Sequence, residues 1–241
     1  MTDLTAIHLD ALMRDLELTA VVAMRRAAPH LREFVALRDA LARVDVTTDE
    51  AYQQALSRYI GLRGKLRLQR DAVFEILQGF KAEPEPQFKD VLAKLSALTG
   101  QVEKSVASSL LALVDPLQPV IDRDLRQLLP RYGFPMLAEA PQFDDCVAWH
   151  EALRSLFTEV MTQPNWPALA NRLGTQVPGE LRERVSNVRL LNAHLSEARK
   201  LVALMAVPRL MPAAGRAQSP GAATPVQDAQ PLLSVRLHLC R

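Results

Sequence analysis

Apolar residues recur at steps of three and four along most of this chain, the spacing of one helix face. Leu9, Leu12, Met13, Leu16 and Ala20 begin the series, with Thr2 or Asp3 available as a cap. After Pro29, which interrupts or kinks the run, Leu31, Phe34, Val35, Leu41 and Val44 continue it. Thr47 followed by Glu50 has the spacing of a capping box and predicts a long helix over 48–80. On that helix Tyr52, Ala55, Tyr59, Leu62, Leu66, Val73, Ile76 and Phe80 form a seam with coiled-coil spacing, interrupted only by Gln69.

Further helices are predicted from Phe88 to Asp115, from Pro119 to Leu129, over 143–162, over 165–173 and over 179–207. The segment 130–142, PRYGFPMLAEAPQ, is read as a linker, because three prolines and a glycine do not fit a continuous helix. The fold expected is therefore all-α: an elongated bundle of about six or seven helices with coiled-coil-like packing. It divides into 1–129, the linker, and 143–207 packing on the first part, followed by 208–241 as a disordered tail rich in proline. Within that tail 232–241 alternates like a strand and would need a partner edge.

Composition removes several classes of function. Formal net charge is only +2, so any site for a polyanion has to be local. No apolar run is long enough to span a membrane. Two cysteines far apart in sequence, Cys146 and Cys240, make no disulfide framework, and a reducing cytoplasm is the expected home.

Candidate chemistry is sparse. Cys146 and His150 are one helical turn apart and are weak metal candidates, with Asp145 and Glu151 nearby. His194 and Glu197 reverse the Glu-x-x-His order used in di-iron bundles. There is no Gly-x-Ser-x-Gly and no phosphate-binding glycine loop. No catalytic residue, metal or cofactor is assigned on these grounds.

Surfaces offer more. On the expected helix 48–80, the small residues Ser57, Gly61, Gly64 and Ala72 share a face around the single Leu68 that would admit a second helix. Arg63, Arg67 and Arg70 form a ridge beside the seam, while Arg58 and Lys65 fall on the opposite flank. In the linker, Tyr132 and Phe134 are either binding anchors or staples onto the bundle. The expected function is a non-catalytic interaction, adaptor or assembly subunit, binding another protein or itself. The alternative is a nucleic-acid-associated protein contacting phosphates through Arg63, Arg67, Arg70, Arg182, Arg184 and Arg189. A metal-dependent enzyme within the bundle is the third class.

Overall fold

The computed structural model describes residues 7–205. The expected tail 208–241, its strand-like end and the Thr2 or Asp3 cap lie outside the described residues.

The first helix, α1 (Leu9–Leu41), is 33 residues long and continues past the exposed Pro29 without interruption. At 1.5 Å per residue it extends for about 50 Å. Leu12, Leu16, Ala20, Ala23, Ala27, Leu31 and Phe34 make its buried stripe. Their three- and four-residue steps carry that stripe along the whole helix. The last described helix, α11 (Asn187–Met205), lies along α1 in the most extensive helix–helix contact of the fold. Thr19 and His194 join the two at 3.0 Å. The Thr19 hydroxyl donates to the Asp15 carbonyl, and so it receives the His194 Nε2–H.

Between these two lie α2 (Glu50–Tyr59), α3 (Gly64–Leu68), α4 (Arg70–Lys81), α5 (Phe88–Thr99), α6 (Lys104–Val114) and α7 (Arg123–Leu128). A 3-10 turn (Leu129–Tyr132) follows, then α8 (Phe143–Thr162), α9 (Trp166–Thr175) and α10 (Gly179–Arg182). The described residues are all-helical, with eleven α-helices rather than six or seven. Local stops cut the expected runs. Gly100, at φ 67°, ends α5 and so divides the helix expected over Phe88–Asp115. The helix expected over 179–207 is split between α10 and α11.

The largest departure is in the stretch read as one helix from 48 to 80. It starts later than expected: Asp49, not Thr47, caps α2 by accepting the Tyr52 N–H at 2.8 Å. It then stops at Gly61, whose φ of 64° lies in the left-handed region that glycine adopts without strain. The Leu62 N–H reaches the Ser57 carbonyl and the Gly61 N–H reaches that of Arg58, the two bonds of a Schellman motif. Gly64, at φ 54°, starts α3, and Gln69 is the junction where α3 gives way to α4. The coiled-coil-like packing expected of the seam loses the continuous helix it required. The seam residues Tyr52, Leu62, Leu66, Val73 and Phe80 nevertheless remain buried.

Both sides of the expected linker share one core. Leu16, Phe34, Leu77 and Leu92 belong to the same buried cluster as Leu153, Phe157 and Leu195. Asp145 opens α8 by accepting the Gln142 N–H at 3.2 Å. Among the described residues, no helix is long and apolar enough to cross a membrane.

Candidate functional site

The break in the chain at Gly61 makes an elbow out of residues 57–70. Positions that share a face on a straight helix are re-aimed here by two left-handed glycines. Arg58, Arg67 and Arg70, expected to divide between two flanks, instead line one groove together with Gln54, Ser57 and Leu62. The groove encloses about 430 Å³, and no acidic residue lines it. Asp71 pairs with Arg70 at 3.3 Å from outside; both side chains are at least half exposed, so the pair contributes little. Lys65 points elsewhere, donating to the Thr99 carbonyl at 2.9 Å and tying the elbow to the end of α5.

Among the described residues, no helix packs on the small-residue face. A Cβ added to Gly61 or Gly64 would meet nothing within 4 Å. Ser57 donates to the Gln53 carbonyl of its own helix, at 2.7 Å. Leu68 stands 88% exposed between Arg67 and Arg70, the most exposed large apolar side chain among the described residues.

The two aromatic candidates of the linker have gone the other way. Tyr132 and Phe134 are buried, and the Tyr132 hydroxyl donates to Asp15 on α1 at 2.6 Å. Phe134 meets Trp149 edge to face at 5.2 Å, and the Trp149 indole N–H donates to the Pro135 carbonyl. They staple the linker onto the bundle, and their burial removes them as contacts for a partner.

The remaining arginines divide as well. Arg184 is exposed and pairs with Asp39 at the rim of a second groove of about 630 Å³, where Arg38, Arg43 and Lys81 add three cations. Burial, and then the Arg184 charge, lower the Arg38 pKa from its ordinary value. Arg182 donates through Nε to the Gly174 carbonyl at 3.0 Å. Arg189 is only 2% exposed, and that corrects the expectation that it contacts phosphates on an open helix face. It sits on the side of α11 turned toward α1, with its guanidinium 4.3 Å from the centre of the Phe34 ring.

Arg189 also lines a half-open chamber of about 430 Å³ between α1, the end of α2, α6 and α11. Sequence reasoning missed this chamber. Its signal was a second stripe on α11, in which Arg189, Asn192, Ala193 and Ser196 follow at helical spacing beside the apolar one. Asn192 accepts the Val120 N–H at 2.6 Å, fixing the segment before α7. Asp122 caps α7 by accepting the Leu125 N–H at 2.7 Å, and also receives the Ser196 hydroxyl. It is partly open to the chamber, yet protein surrounds it closely enough that desolvation raises its pKa above the usual carboxylate value.

The metal candidates are occupied with packing. Cys146 is buried, and burial pushes its thiol pKa up. His150 stacks on Phe88 at 4.1 Å, and its Nε2 lies 3.2 Å from the Pro119 carbonyl. His194 is engaged by Thr19, whereas Glu197 accepts from Lys200 at 2.8 Å. Among the described residues, no three His, Cys, Asp or Glu side chains gather as a metal would require. Comparison with family models, curated proteins and solved structures gives no match to this chain.

Proposed function

We propose that this protein is a non-catalytic interaction subunit whose elbow at 57–70 receives an acidic segment of a partner protein. The observation that carries the reading is the groove lined by Arg58, Arg67 and Arg70 without an acid, with Leu68, 88% exposed, next to Arg67 in sequence. An acidic segment with one apolar side chain complements both features: carboxylates for the arginines, and a hydrophobic contact for the leucine. The open space over Gly61 and Gly64 supports the same use, since backbone without side chains allows close approach.

Fluorescence anisotropy with an Asp/Glu-rich peptide carrying a central leucine tests this, with a short DNA duplex as the comparison. The peptide should bind, and Leu68→Asp and Arg67→Glu should each abolish binding without loss of helix content. Failure of the peptide to bind, or indifference to Leu68→Asp, overturns the reading. Light scattering on the same samples identifies the case in which the partner is a second copy of the chain.

A second reading, contact with nucleic-acid phosphates, draws on the groove of Arg38, Arg43, Lys81 and Arg184, which holds four cations against Asp39. It predicts tighter binding of the duplex than of the peptide, and a steep loss of affinity between about 50 and 200 mM salt. Arg43→Glu would then remove duplex binding while Leu68→Asp leaves it intact.

A further inference from the structure

The chamber beside α11 holds a buried charge with no carboxylate in ion-pair contact. Arg189 takes part in no ion pair among the described residues. Its Nε and Nη1 are buried and have no hydrogen-bond partner. The protein offers the guanidinium the face of Phe34, and the Tyr59 hydroxyl and the more distant Asp122 carboxylate favour its charge. An arginine stays protonated even when buried, so it cannot escape the cost of desolvation by losing its proton as lysine or histidine does. A buried cation in this state lacks a directly bonded anion.

The chamber walls say what kind of anion fits. Ala27, Ile60, Val120, Ile121 and Ala193 supply apolar surface, and the stacked rings of His30 and Tyr59, 4.6 Å apart, close one side. A volume of about 430 Å³ lies in the range of pockets that hold small organic molecules. Asp122 and Glu197 also border the space, so a dianion such as phosphate would meet repulsion that a single carboxylate, directed at Arg189, avoids.

We propose that the chamber binds a small monocarboxylate, its carboxylate paired with Arg189 and its apolar or aromatic body against Ala27, Ile60, Val120 and Ala193. Asn192 is held by the Val120 N–H, and Asp122 by Leu125 and Ser196. The polar wall is thus fixed before the ligand arrives, and Arg189 alone among the buried groups there is left to be satisfied.

Methyl-resolved NMR of the full chain tests this, following Ala27, Ile60, Ile121 and Ala193 during titration. The probes are benzoate, indole-3-acetate and octanoate, each beside its neutral amide, with inorganic phosphate as a further control. At least one carboxylate should shift these methyls saturably, with its amide binding about ten- to a hundredfold more weakly, the factor expected of a charged hydrogen bond. Arg189→Gln should bring the carboxylate down to the affinity of the amide. Where that variant does not fold, the comparison of carboxylate with amide on the unmodified protein decides alone. No saturable shift up to about 10 mM, the weak end of specific affinity, overturns the proposal. Equal binding of carboxylate and amide, or phosphate binding as tightly as the carboxylates, also overturns it.

Discussion

Arg67 and Arg189 are both arginines on short-period helical patterns, and the molecule treats them in opposite ways. At the elbow, the backbone turns outward on left-handed glycines, so Arg58, Arg67 and Arg70 keep their hydration beside the exposed Leu68. In the chamber, α1 and α11 close over Arg189 and leave it with an aromatic face and two unpartnered nitrogens. The elbow exposes what a core would ordinarily hide, and the chamber buries what a surface would ordinarily show. The buried, unpaired arginine is the rarer of the two, since single exposed leucines are common on protein surfaces whereas arginine is almost never fully buried unless paired.

Acid should break the buried side of this comparison hardest. Burial lowers the pKa of His150 to about 4 and that of His194 to about 3, against an ordinary value of 6.5. Both are neutral in the fold, while the unfolded chain takes up protons from pH 6.5 downward. Stability is therefore complete above that pH and is lost as the pH falls toward the folded values, by roughly 3 kcal/mol per histidine at pH 4. Thermal melts at pH 7, 5.5 and 4 should show a steep decline that His194→Gln makes shallower; a flat profile contradicts the burial of these rings.

Next in size, Arg189→Met should raise the unfolding free energy by about 1–3 kcal/mol, because an apolar side chain of similar length avoids desolvating an unpaired charge. Urea titrations of the two proteins measure it. A destabilised Met variant would mean that Phe34 and Tyr59 compensate the charge fully, and the contrast with the elbow would disappear.

Gly64→Ala probes the elbow backbone without introducing a clash, since space for the methyl is open. The left-handed φ alone should cost about 1–2 kcal/mol, readable in the same titrations. Smallest of all, Leu68→Ser and Arg67→Glu should change stability by less than about 0.5 kcal/mol, as exposed positions do. A larger loss at Leu68 would show that it packs against the fold.

These magnitudes follow what was and was not legible in the sequence. Burial was legible: the seam residues Tyr52, Leu66, Val73 and Phe80 are all inside. The path of the backbone was not. Periodic apolar spacing survives a break when the chain re-enters a helix in compatible register, as α3 and α4 do after Gly61. The warning lay in Tyr59-Ile60-Gly61-Leu62, a glycine followed by an apolar residue, which is the signature of the Schellman stop. Helical-wheel geometry projected across that glycine assigned Arg58 to the wrong flank. Arg189 was misplaced for a different reason. Its neighbours Arg182 and Arg184 are exposed, and only the partner helix α1, more than a hundred residues earlier, decides which side of α11 is covered.

The pairing of α1 with α11 also bears on how the chain is made. Synthesis at roughly 5–20 residues per second leaves about ten to forty seconds between the emergence of the two helices from the ribosome. During that interval the stripe of Leu12, Leu16, Ala20 and Leu31 has no α11 to cover it. Transient cover is available from α2, α6, α9 and the 3-10 turn Leu129–Tyr132, which α1 also touches. Codon choices or strains that slow translation after α9 would lengthen the exposure and favour aggregation, although the finished fold would be the same.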